Sequence, residues 1–198
     1  MMHRLARFAV LLVSLVAVTS AGSLQAAEAG GDYTLTRPYS SVFFRVMYQQ
    51  YLIMVGRFEN YSAQLHLDVD NLENSTLTAT VQMASLDMPD DDVVETLVNS
   101  STWFNASLYP EATFTTTSTV VTGEDEVDFV GNLNFVGISL PWTFHVKFFG
   151  GSDGELGGSS VGIQGSGTID RLAFGLDQYR DTAADQVEIE VNAKFNRN

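Results

Sequence analysis

Few side chains in this 198-residue sequence have the types and spacing needed for catalysis, and none is a cysteine. Without cysteine there are no disulfides, no thiol nucleophile and no thiolate metal site. His66 and His145 stand outside any nucleophile or metal motif such as G-x-S-x-G or H-E-x-x-H, and both fall on the more polar face of their predicted strands. We therefore predict no catalytic residues. The alternative, a small-molecule enzyme, requires one of these histidines to be buried beside a carboxylate in a pocket.

Two other stretches resemble ligand sites only superficially. Asp90, Asp91 and Asp92 lack the alternating oxygen ligands, central glycine and closing glutamate of a calcium loop. They precede apolar residues at helical spacing, which predicts a capped helix over about 89–98. The glycine-rich segment 150–158 has neither the strand-then-helix context nor the trailing lysine of a phosphate-binding loop. We predict no metal and no required cofactor.

The charge balance is strongly acidic, with 10 Lys and Arg against 24 Asp and Glu and a formal net charge of -14. A nucleic-acid-binding protein needs a basic face, so this class is excluded. The same charge opposes docking on anionic lipid head groups and favours solubility. With 45% hydrophobic and 17% charged residues, the composition is that of a globular protein.

Residues 1–29 have the pattern of a cleaved secretory signal peptide. Arg4 and Arg7 provide a basic start, residues 8–18 are an apolar core too short to span a bilayer, and Ala27-Glu28-Ala29 fits a cleavage site. Cleavage after Ala26 or Ala27, and an uncleaved anchor, are alternatives. We therefore predict a bacterial periplasmic or secreted protein whose single domain spans residues 30–198.

Alternating apolar and polar residues indicate strands along most of that domain. The clearest example is a β-hairpin over 127–151, with Gly137 at the turn and Pro141 opening the second arm. The glycines of a later strand, 163–169, predict a bend or bulge, and segment 50–56 is ambiguous. About eight antiparallel strands and one short helix predict an all-β fold, either a closed barrel or a sandwich.

Five motifs in the same order resemble the YceI-like family of exported lipid-binding proteins. They are Ser40-x-Val42-x-Phe44-x-Val46, Gly56-x-Phe58-x-x-Tyr61, Trp103-Phe104-Asn105 with Tyr109-Pro110, Gly131-x-Leu133-x-Phe135-x-Gly137-x-x-x-Pro141, and Arg171-x-x-Phe174-Gly175. The resemblance implies a lipocalin-like antiparallel β-barrel with a helix over it. It also implies a polyisoprenoid or similar amphiphile as the bound ligand, and in some cases a dimer.

A prenyl chain needs a narrow apolar tunnel, and each buried CH₂ contributes about 0.8 kcal/mol. The candidate ligand-binding residues are the inward-facing apolar set and one arginine: Val42, Phe44, Val46, Leu133, Phe135, Trp142, Phe144, Val146, Phe148, Arg171, Ile189 and Val191. For the apolar set, the alternative is that these side chains simply fill the barrel. For Arg171, a structural salt bridge competes with contact to a lipid head group.

The sequence thus predicts an exported carrier or scavenger of a quinone or prenyl-alcohol lipid. The alternatives are an enzyme that uses the barrel as its pocket, or a filled barrel that serves as a protein-interaction module. The expected partner is an isoprenoid lipid. A homodimer, and transient contact with a membrane or membrane protein during ligand exchange, are left open.

Overall fold

The computed structural model describes residues 30–151, 154 and 156–198. The predicted signal peptide and residues 152, 153 and 155 of the predicted glycine-rich loop lie outside this part of the chain. The described residues form eleven strands and one α-helix. The strands are β1 Gly30–Leu35, β2 Ser41–Tyr48, β3 Leu52–Phe58, β4 Tyr61–Asp68, β5 Thr76–Gln82, β6 Leu86–Asp87, β7 Glu111–Gly123, β8 Glu126–Phe135, β9 Ile138–Gly150, β10 Ser160–Asp170 and β11 Ala183–Arg197, and the helix is α1 Asp91–Asn99.

The strands close into an antiparallel barrel. The ring runs β1, β4, β5, β7, β8, β9, β10 and β11, and it closes where β11 pairs with β1 through Tyr33 opposite Arg197. After a short interruption β2 continues β1 along the same edge of β11, with Val42 opposite Val191, and β3 pairs with β2. This arrangement confirms the predicted eight-stranded barrel and rules out the sandwich.

The predicted central hairpin is confirmed as β8 and β9. Val136 and Gly137 form its turn with φ angles of 46° and 78°, so a non-glycine residue shares the left-handed conformation. The prediction that Pro141 opens the second arm was wrong, because this tight turn lets β9 begin at Ile138. Pro141 instead lies within β9, opposite Asn132.

The predicted helix is confirmed as α1. The Asp90 carboxylate accepts hydrogen bonds from the backbone N–H groups of Asp92 and Val93 at 3.0 and 3.3 Å. These two groups have no partner within the helix, so the acidic run caps and starts α1 as the sequence predicts.

The ambiguous segment 50–56 belongs to a β2–β3 hairpin. Gln49 and Gln50 form its turn with positive φ angles, and the Gln49 N–H donates to the Thr182 carbonyl at 2.5 Å. From Leu52 to Gly56, β3 pairs with β2 on one side; within the described chain no strand pairs with its other side, because β6 reaches only Arg57 and Phe58. The barrel wall is therefore interrupted beside β3.

One half of the barrel is filled by its own side chains. We call it the closed half; its centre consists of Tyr33, Val127, Phe129, Phe148 and Val161, each at most 1% exposed. The rings of Phe129 and Phe148 meet edge to face with centroids 6.3 Å apart. Full burial of such side chains stabilises the fold by roughly 1.5–3 kcal/mol each.

Candidate functional site

The other half of the barrel contains a cavity of about 730 Å³. Its volume lies within the range of roughly 300–1,000 Å³ typical of small-molecule sites, and its lining is mostly apolar. Exposed residues, including Leu52, Asp92 and Tyr179, also line it, so the cavity reaches solvent between the β2–β3 hairpin, α1 and segment 171–182. We call this opening the mouth.

An aromatic wall forms one side of the cavity. Trp142 and Phe144 stack with centroids 5.4 Å apart, and Phe114 meets the Trp142 ring edge-on at 5.4 Å. The Trp142 indole N–H donates to the Thr168 carbonyl at 2.8 Å, which fixes the ring without a polar group facing the lumen. The wall is therefore rigid and apolar.

Glycines of β10 make room for this wall. A Cβ at Gly165 would lie 2.2 Å from the Phe144 ring, and one at Gly167 would lie 2.2 Å from the Trp142 ring. The two rings can therefore lie flat against the strand rather than across the lumen. The prediction of a bulge was wrong, because β10 pairs with β11 in unbroken register from Ser160 to Asp170; a bend stays a prediction.

A second aromatic row closes the end of the cavity beneath α1. It runs Phe44, Phe58, Phe104, Phe135 and Phe174, with successive ring centroids 6.2, 6.4, 5.6 and 5.5 Å apart. Phe104, which follows α1, stands in the middle of the row. Because it contacts rings on β3 and β8, it fixes the helical segment to the barrel.

The structure brings most of the predicted ligand-binding residues together around the cavity. Those that line it are Val42, Phe44, Val46, Leu133, Phe135, Trp142, Phe144, Arg171, Ile189 and Val191. Val146 and Phe148 face inward too, but they lie toward the closed half, 3% and 1% exposed, and do not line the cavity. Ligand contact by any of these residues stays a prediction.

Several cavity residues were absent from the predicted set. They come from β3, from α1 and its following loop, and from segment 171–182: Leu52, Met54, Val93, Leu97, Trp103, Phe104 and Tyr179. The apolar helical spacing of Val93 and Leu97 is the signal that could have identified the helical contribution. Trp103 and Tyr179 stack across the mouth with centroids 6.1 Å apart.

Arg171 is buried, and its guanidinium holds segment 171–184 in place. Its donors bond to the backbone carbonyls of Leu176, Gln178, Ala183 and Ala184, the last three at 2.9 Å. Asp185 lies 3.7 Å from the same guanidinium. Each guanidinium nitrogen thus already donates to the protein, which supports the structural interpretation; contact with a head group stays a prediction.

The two histidines lie on the outer face of the barrel. The Nδ1 of His66 is 2.8 Å from Asp32 Oδ1, and the Nδ1 of His145 is 2.6 Å from Asp128 Oδ1. Both histidines are exposed and neither lines the cavity. They have carboxylate partners but not the burial in a pocket that the enzyme hypothesis requires.

Tyr61 is a polar residue in the cavity wall, and burial raises its pKa, assisted by the negative charge of Glu59. Its hydroxyl therefore stays protonated at neutral pH and donates to the Ser40 carbonyl at 2.5 Å. Among residues 30–151, 154 and 156–198, no group of three or more His, Asp or Glu side chains is placed to hold a metal ion. The helix in that part of the chain is too short to cross a membrane.

A closed antiparallel barrel with an apolar cavity that opens beside a short helix defines a barrel protein of the ligand-binding type. Family comparison is consistent with this class, because the model of the YceI-like domain matches residues 33–195. The chain therefore belongs to the YceI-like family, which confirms the resemblance inferred from its motifs.

Relatives and solved structures agree with this assignment. Protein YceI of Escherichia coli O6:H1 is 28% identical over 177 residues, covering 88% of this chain and 90% of the relative. Protein YceI of Salmonella newport is 29% identical over 185 residues, covering 92% and 93%.

Two solved structures share the fold at low identity. Burkholderia cenocepacia BcnA matches with a TM-score of 0.73 and 23% identity, over 81% of this chain and 98% of that one. A polyisoprenoid binding domain from Saccharophagus degradans, implicated in plant cell wall breakdown, matches with a TM-score of 0.62 and 14% identity, over 84% and 98%.

Proposed function

We propose that this protein binds a polyisoprenoid lipid, of the quinone or prenyl-alcohol type, in the barrel cavity and acts as its exported carrier or scavenger. The observation that carries the proposal is the apolar cavity of about 730 Å³ that opens at the mouth. The polyisoprenoid-binding domain with the same fold supports this choice of ligand class.

The chemistry of the cavity suits a long uncharged chain. Trp142, Phe144 and Phe114 offer an apolar surface, and each CH₂ that leaves water there contributes about 0.8 kcal/mol. Polar groups that line the cavity, such as Tyr48, Thr96 and Asp92, provide hydrogen-bonding partners for a hydroxyl or quinone head group. Such a ligand would lie with its chain inward and its head group at the mouth.

Binding rather than catalysis fits the described residues, since His66 and His145 face away from the cavity. The hypothesis of a filled interaction module required a barrel without a continuous cavity, and the cavity of about 730 Å³ argues against it. Export to the periplasm or medium is part of the proposal and is supported by the sequence pattern of residues 1–29. A homodimer stays a prediction.

The first experiment is native mass spectrometry, with lipid extraction, on protein purified from its own compartment, followed by uptake of radiolabelled geranylgeraniol dispersed in ethanol. Near-equal stoichiometry is expected in one or both measurements. A folded protein that carries no lipid and takes up neither geranylgeraniol nor ubiquinone would disprove the proposal.

A matched pair of variants on β5 tests whether the cavity is the site. Ala79 lines the cavity between Ala63 and Phe114, so Ala79→Phe places a ring in the lumen and should reduce uptake at least tenfold. The neighbouring Thr78 is exposed and points to the opposite face, so Thr78→Phe should bind normally. Equal uptake by the two folded variants would place the ligand elsewhere.

A further inference from the structure

The tip of the β2–β3 hairpin, residues 47–55, presents apolar side chains to solvent. Met47 and Ile53 face each other across the two strands and are 41% and 47% exposed. Val55 is 44% exposed, Leu52 47% and Tyr51, at the turn, 78%. Exposed apolar groups concentrated in this way mark an interaction site more often than an ordinary surface.

The hairpin tip also lacks the features that normally protect an edge strand. Charged side chains and prolines discourage contacts at such edges, yet residues 46–56 contain none of either. The flanking arginines are already paired: Arg45 lies 2.8 Å from Glu190, and Arg57 lies 2.7 Å from Glu59. The tip therefore projects as an uncharged element from a strongly acidic protein.

The hairpin tip is continuous with the mouth of the cavity. Leu52 is exposed and at the same time lines the cavity, and the open edge of β3 borders the interruption in the barrel wall. On the other side of the mouth, Tyr179 is 62% exposed and stacks on Trp103. Tyr and Trp are the side chains that favour the boundary between lipid and water.

We infer that the hairpin tip docks on the surface of a zwitterionic phospholipid bilayer and brings the mouth against the membrane. This inference rests on the proposed function and adds the surface at which ligand would be exchanged. The charge pattern selects the lipid: the tip carries no charge, while the exposed Asp90 and Asp92 line the mouth at the start of α1. An apolar, uncharged tip partitions into a neutral interface, whereas the carboxylates repel an anionic one.

Docking in this orientation provides a continuous apolar route. A prenyl chain leaving the bilayer would pass Leu52 and Met54 at the β3 edge and reach the aromatic wall without crossing bulk water. The outward-facing Met47, Ile53 and Val55 do not line the cavity, so they can contact lipid while the inner face of the hairpin contacts ligand. The two roles are therefore separable by mutation.

The test compares two double variants of the ligand-free protein in flotation with vesicles of phosphatidylcholine and phosphatidylethanolamine. Met47→Ser with Ile53→Ser removes apolar surface from the hairpin tip. Val120→Ser with Val121→Ser removes a similarly exposed pair, 50% and 42%, from the far end of β7. We expect the tip variant to bind vesicles about tenfold more weakly and the β7 variant to bind like the unmodified protein, because affinity follows buried apolar area.

Ethanol-dispersed geranylgeraniol gives an independent readout of the cavity, and both variants should take it up normally. If neither the unmodified protein nor the two variants took up geranylgeraniol, while the unmodified protein still floated with the vesicles, the proposed function would be refuted and the docking inference would not. Equal flotation of both variants would overturn the docking inference, as would stronger binding to phosphatidylglycerol vesicles. Sedimentation showing that the unmodified protein is a dimer and the tip variant a monomer would also overturn it, because a second copy would then cover the tip.

Discussion

Replacing Arg171 with methionine tests how segment 171–184 is held at the mouth. Methionine retains the length and much of the apolar stem but removes every donor. The change leaves the carbonyls of Leu176, Gln178, Ala183 and Ala184 without their shared partner. Because Arg171 is only 3% exposed, its hydrogen bonds lie largely out of bulk water.

The magnitude follows from the chemistry of the lost contacts. A hydrogen bond to a charged group contributes roughly 1.5–3 kcal/mol, but four that share one guanidinium do not add. Each buried carbonyl left without a partner costs about 1–3 kcal/mol, and because the four costs do not add in full we expect a total loss of about 3–5 kcal/mol for Arg171→Met. For a domain of this length, about 2–4 °C per kcal/mol converts the loss to a Tm decrease of roughly 6–20 °C.

Urea unfolding followed by tryptophan fluorescence measures the effect, and Arg45→Met provides the matched control. The Arg45 side chain is 38% exposed and bonds to Glu190 on the outer face, so its replacement should lower the unfolding free energy much less. Arg171→Lys should recover only part of the loss, since an ammonium cannot bond to four carbonyls in a planar fork. Equal, small losses for Arg171→Met and Arg45→Met would refute the reasoning.

Three further predictions concern single positions. Gly167→Ala should lower the unfolding free energy by about 1–3 kcal/mol and reduce prenol uptake, because the new Cβ displaces the Trp142 ring. Gly162→Ala, whose Cβ would make an ordinary 3.6 Å contact, should change neither the unfolding free energy nor the uptake. Equal thermal stability of the two variants in calorimetry would contradict this prediction. Asp90→Ala should cost about 1 kcal/mol in urea unfolding and speed hydrogen exchange in α1, while Asp90→Ser retains the cap and should lose little; an unchanged Asp90→Ala would contradict the capping role. The hydrogen bond from the Asn74 side chain lowers the pKa of Asp68 below 3.8, so this contribution to stability is present above pH 3.8 and is lost as the pH falls through the lowered pKa. The Asp68→Asn variant should therefore unfold more easily than the unmodified protein at neutral pH, and the difference in unfolding free energy should narrow as the pH falls below 4. Urea unfolding at several pH values measures this difference, and a difference that stayed constant would contradict the prediction.

Alternation along the chain predicted most of the barrel, and its one failure has a clear cause. At the hairpin tip Leu52 and Met54 face the cavity while Ile53 and Val55 face solvent, so both faces of β3 are apolar and the period of two disappears. The helix was predictable because the Asp90 cap is a local signal. The position of Pro141 within β9 depended on the turn type, which the conformation of Val136 decided.

The sequence predicted which side chains of the candidate site point into the barrel, but not how far along the barrel axis the cavity extends. Phe144 and Phe148 share a parity on β9, yet one lines the cavity and the other packs in the closed half. Parity reports which side chains point inward; whether the space between them is filled depends on residues from distant strands. The motif at Arg171 marked the residue, but its role depends on carbonyls in an irregular segment, whose conformation the alternation of apolar and polar residues does not predict.

The pairing of β1 with β11 has a consequence for how the protein acquires its structure. The first and last strands of the domain form the seam that closes the barrel, with Tyr33 opposite Arg197. The local hairpins can form as soon as their own strands are available, but the seam must wait until β11 has also been made, because it joins strands at opposite ends of the domain. Closure of the barrel is therefore a late step in the folding of this domain. The cavity is complete only after the seam has formed.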